Sequence, residues 1–294
     1  MAKWTAAQIP DQRGRSVVVT GANSGIGAVT ARELARAGAR VILACRDTAK
    51  GQVAAASMPG DTEVRRLDLA DLSSVRGFAD SIDGEVAVLV NNAGVMAVPK
   101  RATVDGFEMQ IGTNHLGHFA LTGLLLDRIT GRVVTVASGA HNIGRIRLDD
   151  LNWERGRYHP WRAYGQSKLA NLLFSYELQR RLAAAGSAVA AVAAHPGYAA
   201  TNLQSHTESF QDRIMRLGNR IMAQSDLMGA LPALYAATVA DVPGGSYIGP
   251  DGLFEQRGHP KVVGSSAASK NLDTARRLWE LSEKLTGVRY EFAR

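Results

Sequence analysis

Short runs of β-branched and small apolar residues recur along this chain between longer helical stretches, and that recurrence restricts the fold more than any other feature. The runs are SVVVT at 16–20, VILAC at 41–45, TEVRRLDL at 62–69, VAVLV at 86–90, GRVVTVAS at 131–138, SAVAAVAAH at 187–195 and a short GSYIG at 245–249. Helical patterns fill the intervals over Gly25 to Ala37, Thr48 to Ala56, Leu72 to Ile82, Val104 to Leu126 and Trp161 to Ala185, and a last one follows over Leu272 to Leu285. Asp71 stands where it can cap the third of these. A strand that is apolar along its whole length must be covered on both faces, which a parallel sheet with helices on either side provides. The alternation implies right-handed crossovers and a doubly wound sheet. The expected fold is therefore α/β, a single domain with a mostly seven-stranded parallel sheet and helices on both faces. The 294 residues show no repeat, low-complexity tract or clear linker, which favours one domain over two. The core spans about 14–255, and the segment from Tyr198 to Leu227 interrupts the pattern as an expected lid or substrate loop.

Composition narrows the setting. With 46% hydrophobic and 21% charged residues the chain can bury a large core and is not a disordered sequence. No run approaches the ~18 apolar residues that cross a bilayer, and the N-terminal residues lack the apolar core of a signal peptide. Cys45 is the only cysteine, so no internal disulfide can form. These features lead us to expect a cytoplasmic protein. The formal charge of +7 invites a search for nucleic-acid or membrane contacts. The densest basic patches, Arg145 to Arg157 and Arg213 to Arg220, carry no nucleic-acid motif and read as solvated surface, so no nucleic-acid partner is expected. Arg213, Arg216 and Arg220 would allow at most a peripheral contact with an anionic membrane.

In a doubly wound sheet ligands bind beyond the carboxyl ends of the strands, and the informative residues fall there. TGANSGIG at 20–27 places Gly21, Gly25 and Gly27 between the first strand and the first helix. Small residues let the backbone approach a pyrophosphate, and a helix N-terminus supplies amides and partial positive charge. A plain tight turn is the bland alternative. The second strand ends VILACRD, with Cys45 where an acid would bind the ribose hydroxyls of NAD and Arg46 next, able to pair with the 2′-phosphate of NADP. NADP(H) is thus favoured over NAD(H), against the alternative that Arg46 is only an exposed strand-end residue. Ser24, not a second basic residue, precedes Gly25, and Asp47 begins the next helix. Asp68 can accept from an adenine amino group or form a turn, and Asn91, Asn92, Ala93 and Gly94 suit either a turn or a cofactor contact.

About 140 residues after the glycine turn stands YGQSK, with Tyr164 and Lys168 four residues apart. On a helix these share a face. A free tyrosine, with a pKa of about 10, is a poor base at neutral pH, and a neighbouring cation favours the phenolate. Tyr164 could then exchange a proton with an alcohol or carbonyl oxygen. A surface helix pair is the bland reading. Ser138 could cap a turn, and Asn114 in mid-helix calls for a reason such as a kink. His115, His118 and His141 read as packing or surface, and His195, before Pro-Gly, as a turn-shaping residue. No His/Cys/Asp group has zinc-ligand spacing, so no metal is expected.

TGANSGIG, Asp68-Leu69, NNAG, Asn114, Ser138, Tyr164-x-x-x-Lys168, and Pro196-Gly197 with Thr201 occur in an order that resembles the short-chain dehydrogenase/reductase family over roughly residues 14–255. ACRD, TNHLGHFALT, LDDLNW, AYGQSKLANLLF and ARRLWELSEKLTG are similar to its retinol dehydrogenase and WW-domain-containing oxidoreductase branch. The resemblance implies a Rossmann fold and an oxidoreductase that interconverts an alcohol and its ketone or aldehyde. It implies that Asn114, Ser138, Tyr164 and Lys168 are catalytic. Lys168 would hold the nicotinamide ribose, Ser138 the substrate oxygen, and Asn114 a water that links Lys168 to solvent. It further implies a cofactor site of Gly21, Asn23, Ser24, Gly25, Ile26, Gly27, Arg46, Asp68, Leu69, Asn91, Ala93, Gly94, Pro196, Gly197, Ala199 and Thr201. Family members pair through the helix carrying the tyrosine, so a homodimer or homotetramer is expected, with a monomer left open. Phe210, Ile214, Met215, Leu217, Ile221, Met222 and Met228 suggest a lipophilic substrate, or simply core. Two alternatives stand beside this reading. One is a protochlorophyllide-reductase-like enzyme, which depends on cysteines that this chain lacks near such a site. The other is a nucleotide-binding regulator or scaffold without catalysis, which usually loses the tyrosine or the lysine.

Overall fold

A computed structural model describes residues 3–197 and 225–292. Eight strands in the described residues form one sheet in the order β3-β2-β1-β4-β5-β6-β7-β8. They are β1 (Ser16–Thr20), β2 (Arg40–Cys45), β3 (Thr62–Arg66), β4 (Val86–Asn91), β5 (Ile129–Val136), β6 (Ala190–Ala194), β7 (Tyr247–Pro250) and β8 (Pro260–Val262). The first seven are parallel and β8 returns antiparallel along β7. This edge strand is the one the sequence pattern missed: three residues opening on a proline carry no periodicity.

Alternate side chains of each strand enter opposite layers, as the pleat requires. Val17 and Val19 of β1 join a core with Val88 and Val90 of β4, Ala31 and Leu34 of α1 (Gly25–Arg36), and Leu231 and Leu234 of α6 (Asp226–Thr238). Val18 and Leu89 face the other way, toward Phe78 of α3 (Leu72–Asp80), Phe119 and Leu121 of the helical stretch Gly117–Leu125, Phe174 and Leu178 of α5 (Pro160–Ala184), and Trp279 of α7 (Leu272–Thr286). The short α2 (Thr48–Ala56) is capped by Asp47, whose side chain accepts from the Lys50 amide.

Two helices differ from the sequence pattern. The helix read from Val104 starts later: Met109–Ile111 and Gly117–Leu125 are α-helical and are joined by a π turn, Gly112–Leu116, the whole being α4. Residues 103–107 instead close a turn through Gly106 at φ 84°, and the Glu108 carboxylate caps the helix by accepting from the amides of Gln110 and Ile111. The Asp105-Gly106 pair was the available signal. Helix α6 escaped the pattern altogether, because it contains Gly229 and Pro232 and is apolar all round. A helix buried on every side shows no amphipathic period.

Every residue of α5 from Ala163 to Ser175 is buried in the single chain. Leu169, Ala170 and Leu173 pack on Ala275 and Leu278 of α7. Pairing of two copies through this stretch would have to displace what already covers it.

Candidate active site

The crevice lies where β1 sits between β2 and β4, the point at which strand order reverses. Gly21 turns out of β1 at φ 67° and Gly25 opens α1 at φ 54°, both in the region that favours glycine. Gly27 is needed for closeness: a Cβ there would lie 2.4 Å from both the Gly21 carbonyl oxygen and the Asn92 side-chain nitrogen. Ser24, at the N-cap, makes no side-chain cap hydrogen bond, and the first turn of α1 carries no acid. By contrast Asp47 and Asp71 cap the next two helices. The α1 terminus therefore keeps its amides and partial positive charge for an anion. Asn23 is half-buried beside this turn, and Ile26 anchors the helix by packing on the core.

Arg46 follows β2, exposed, and makes no ion pair or hydrogen bond with the described residues. Cys45 points inward, and burial pushes its thiol up to about 11, so it is not a reactive thiol. Asp68 lies two residues beyond β3, where its carboxylate accepts from the Ala70 amide at 3.0 Å. It forms the turn, as one of the two sequence readings had it, and its second oxygen makes no hydrogen bond with the described residues. Leu69 is buried and closes the crevice floor against Gly117. The Asn91 side chain turns away from the crevice to donate to Thr122 at 2.9 Å, so only its backbone faces a ligand there.

Two residues that sequence reading left out of the site, Thr20 and His118, hold the β4 turn together with Asn92. Thr20 Oγ1 accepts from the amides of Asn92 and Ala93, each at 2.9 Å, and the Asn92 side chain donates to the Thr20 carbonyl at 2.8 Å. His118 Nδ1 donates to the Asn114 carbonyl at 3.0 Å, so its Nε2 accepts from the Thr20 hydroxyl at 2.9 Å. Burial lowers the His118 pKa to about 4 and keeps the ring neutral. The signal was the spacing: His118 follows Asn114 by one helical turn.

Asn114 sits in the π turn of α4. Its Oδ1 accepts from the Val95 amide at 2.8 Å, and its Nδ2 donates to the Val95 carbonyl and to Ser167 Oγ, both at 2.9 Å. The π turn is the reason a mid-helix asparagine required. This clamp sets the course of the backbone from Ala93 through Gly94, whose added Cβ would come 3.1 Å from Asn114 Oδ1 and 3.6 Å from Lys168 Nζ.

Ser138 lies two residues past β5 and begins a short 3-10 turn, its Oγ accepting from the Ala140 amide at 3.2 Å. Tyr164 and Lys168 occupy one face of α5, both buried, with Lys168 Nζ 5.8 Å from the centre of the Tyr164 ring. Nζ donates to the Val136 carbonyl at 3.0 Å, its one partner in the described residues. The electrostatics run opposite to the sequence expectation. Burial pushes the Tyr164 phenol up to about 12, with a hydrogen bond from Ser138 acting the other way, and burial alone lowers the Lys168 ammonium to about 8. At this separation loss of hydration outweighs the cation.

Pro196 and Gly197 leave β6 in a turn with Gly197 at φ 68°. His195 shapes it, accepting from the Gly197 amide at 3.3 Å through Nδ1 and donating to Glu255 at 3.1 Å through Nε2. Met228 packs against the core. Ala199, Thr201, Phe210, Arg213, Ile214, Met215, Arg216, Leu217, Arg220, Ile221 and Met222 lie outside the described residues, as does most of the expected lid. In the described residues no group of His, Cys, Asp and Glu is placed to hold a metal ion, and no helix is long and apolar enough to cross a membrane.

The chain is similar to known proteins. A model of the short chain dehydrogenase family matches residues 15–212. Retinol dehydrogenase 13 of Homo sapiens is 44% identical over 294 residues, which cover 94% of this chain and 85% of that one. The crystal structure of an uncharacterized protein from Mycobacterium Paratuberculosis superposes with a TM-score of 0.86 at 57% identity, covering 99% of this chain and 100% of that chain. An NAD(P) dependent gluconate 5-dehydrogenase from Beutenbergia cavernae, crystallised with NADP, gives 0.60 at 28% identity and covers 79% and 92%.

Proposed function

The chain is an oxidoreductase of the short-chain dehydrogenase family, and from that premise we propose that it uses NADP(H) to reduce a lipophilic aldehyde or ketone to its alcohol, and the reverse. The observation that carries this is the face of α5 on which a buried phenol, hydrogen-bonded to the half-buried Ser138 that follows β5, stands one helical turn from a buried ammonium.

The residues fit a dinucleotide. The uncapped α1 terminus and the approach at Gly27 suit a pyrophosphate, and the unpaired Arg46 suits a 2′-phosphate. The free oxygen of Asp68 suits the adenine edge. Lys168 has N–H groups to spare beyond Val136, which suits the ribose hydroxyls. When bound, the nicotinamide supplies or accepts the hydride. Ser138 positions the substrate oxygen and Tyr164 exchanges its proton. A phenol that burial keeps protonated has a proton to give to a carbonyl oxygen. The lipophilic substrate class rests on the likeness to retinol dehydrogenase 13.

Turnover of retinaldehyde with NADPH tests the reading, with Tyr164→Phe as control. Reduction of short polar aldehydes alone would reject the lipophilic class. Arg46→Asp should move the ratio of kcat/KM from NADPH toward NADH by about 10- to 100-fold, the worth of one charged hydrogen-bonded pair. An unchanged ratio removes Arg46 from the phosphate site. The pH profile follows from Lys168: with its pKa lowered to about 8, the ammonium is present on the acid side of that value and lost above it. Carbonyl reduction should hold a plateau below about pH 8 and fall above it. A limb unchanged in Lys168→Ala would assign the titration to another group.

A further inference from the structure

The basic patch from Arg145 to Arg157 is largely exposed, as the sequence reading expected, and it also lines an open cavity of about 1040 Å³. The cavity lies between the loop that leads into α5, the first turn of α5 and the outer face of α7. Six arginines from these three segments converge on it: Arg145, Arg147, Arg155, Arg157, Arg162 and Arg277. Only Arg147 has a close acidic partner, Asp150 at 2.6 Å, and it also lies over the buried Trp153 ring, 4.5 Å from its centre. Arg277 reaches Asp273 at 3.7 Å. The other four side chains make no ion pair or hydrogen bond with the described residues, and Asp149 is the one further acid in the lining.

Guanidinium groups without acidic partners around one concavity give it a positive potential that attracts anions. Several arginines elsewhere are paired instead: Glu177 ties Arg180 and Arg181, Glu33 ties Arg32 and Arg36, and Glu63 ties Arg40 and Arg65. A carboxylate satisfies one guanidinium fork. A phosphate presents three oxygens and higher charge and can engage several forks at once. The volume lies near the upper end of small-ligand sites, about 300–1,000 Å³. The rim also offers an apolar plane, with Trp161 37% and Ile143 59% exposed. Trp161 touches both sites: it lines the cavity and its ring meets that of Tyr164 edge-on at 6.2 Å.

We propose that this cavity binds a phosphate-bearing anion, separate from the dinucleotide crevice, and that occupancy is felt at Tyr164 through Trp161. The phosphate can belong to a soluble polyphosphate or to a lipid headgroup. The test uses the full chain saturated with NADPH, so that the pyrophosphate site cannot take the probe, and compares it with Arg155→Glu/Arg157→Glu. Both positions are exposed and lie outside the residues assigned to chemistry. In one arm inorganic tripolyphosphate is titrated by calorimetry and tryptophan fluorescence. In the other, flotation compares vesicles of phosphatidylglycerol with phosphatidylcholine against phosphatidylcholine alone. The expected result is saturable tripolyphosphate binding, weakened at least about tenfold in the double variant, whose NADPH affinity stays that of the unaltered chain. Flotation with the anionic vesicles, relieved by tripolyphosphate, assigns the lipid source; tripolyphosphate binding without flotation assigns the soluble one. No binding in either arm, or equal binding by the double variant, overturns the proposal. Failure of NADPH itself to bind would instead strike the dinucleotide reading, and the two arms run without it still decide the cavity.

Discussion

Tyr164→Phe should lower kcat for carbonyl reduction by about 10²- to 10⁴-fold, the range for loss of a positioned acid, and leave NADPH affinity within a few-fold. The substitution deletes one oxygen. The ring keeps its place because α5 is buried throughout this stretch and Trp161 meets the ring edge-on. The Lys168 ammonium still reaches the Val136 carbonyl. What is lost is the proton that burial retains on the phenol up to about pH 12, and the hydrogen bond with Ser138. Single-turnover measurement of hydride transfer separates the chemical step from release. Turnover equal to that of the unaltered chain would remove Tyr164 from the chemistry, whatever its neighbours suggest.

Gly27→Ala should be nearly as damaging, by another route. The added methyl meets a backbone oxygen, that of Gly21, at 2.4 Å on one side and the Asn92 side chain on the other. Asn92 cannot simply swing away, because its side chain donates to the Thr20 carbonyl and helps to tie β1 to the turn after β4. The crevice must open. Overpacking of this kind costs about 1–3 kcal/mol, and a displacement near 1 Å in a positioning element can cost on the order of 10²-fold in rate. A lower Tm together with weakened NADPH binding in calorimetry is the expected pair of results. An unchanged Tm and affinity would show that the turn and strand do not approach as closely as described.

The candidate positions of the glycine turn, the arginine after β2 and the Tyr-Lys pair were legible because each proposed chemistry needs a fixed residue type at a fixed spacing within one element. The parallel strands were legible for a similar reason: a strand buried on both faces must be apolar in every position, and Val17, Val18 and Val19 fill both layers. Helix α6 was not legible, because burial on all sides erases the periodicity that identifies a helix, and Pro232 argues locally against one. The start of α4 was misplaced because Glu108, an unusual cap, replaces the common ones.

The candidate site divides along the same line. Sequence alone determined which groups could serve: amides at a helix terminus, an unopposed guanidinium, a phenol and an amine one turn apart, since these depend on neighbours within a few residues. Tertiary structure decided how they stand. It joined Thr20, Asn114 and His118, which are far apart in sequence or were taken for packing, into the clamp on the β4 turn. It turned the Asn91 side chain into the core. It also reversed the direction in which Tyr164 was expected to shift, because desolvation depends on everything that surrounds a group, and no local spacing reports how much water the fold removes.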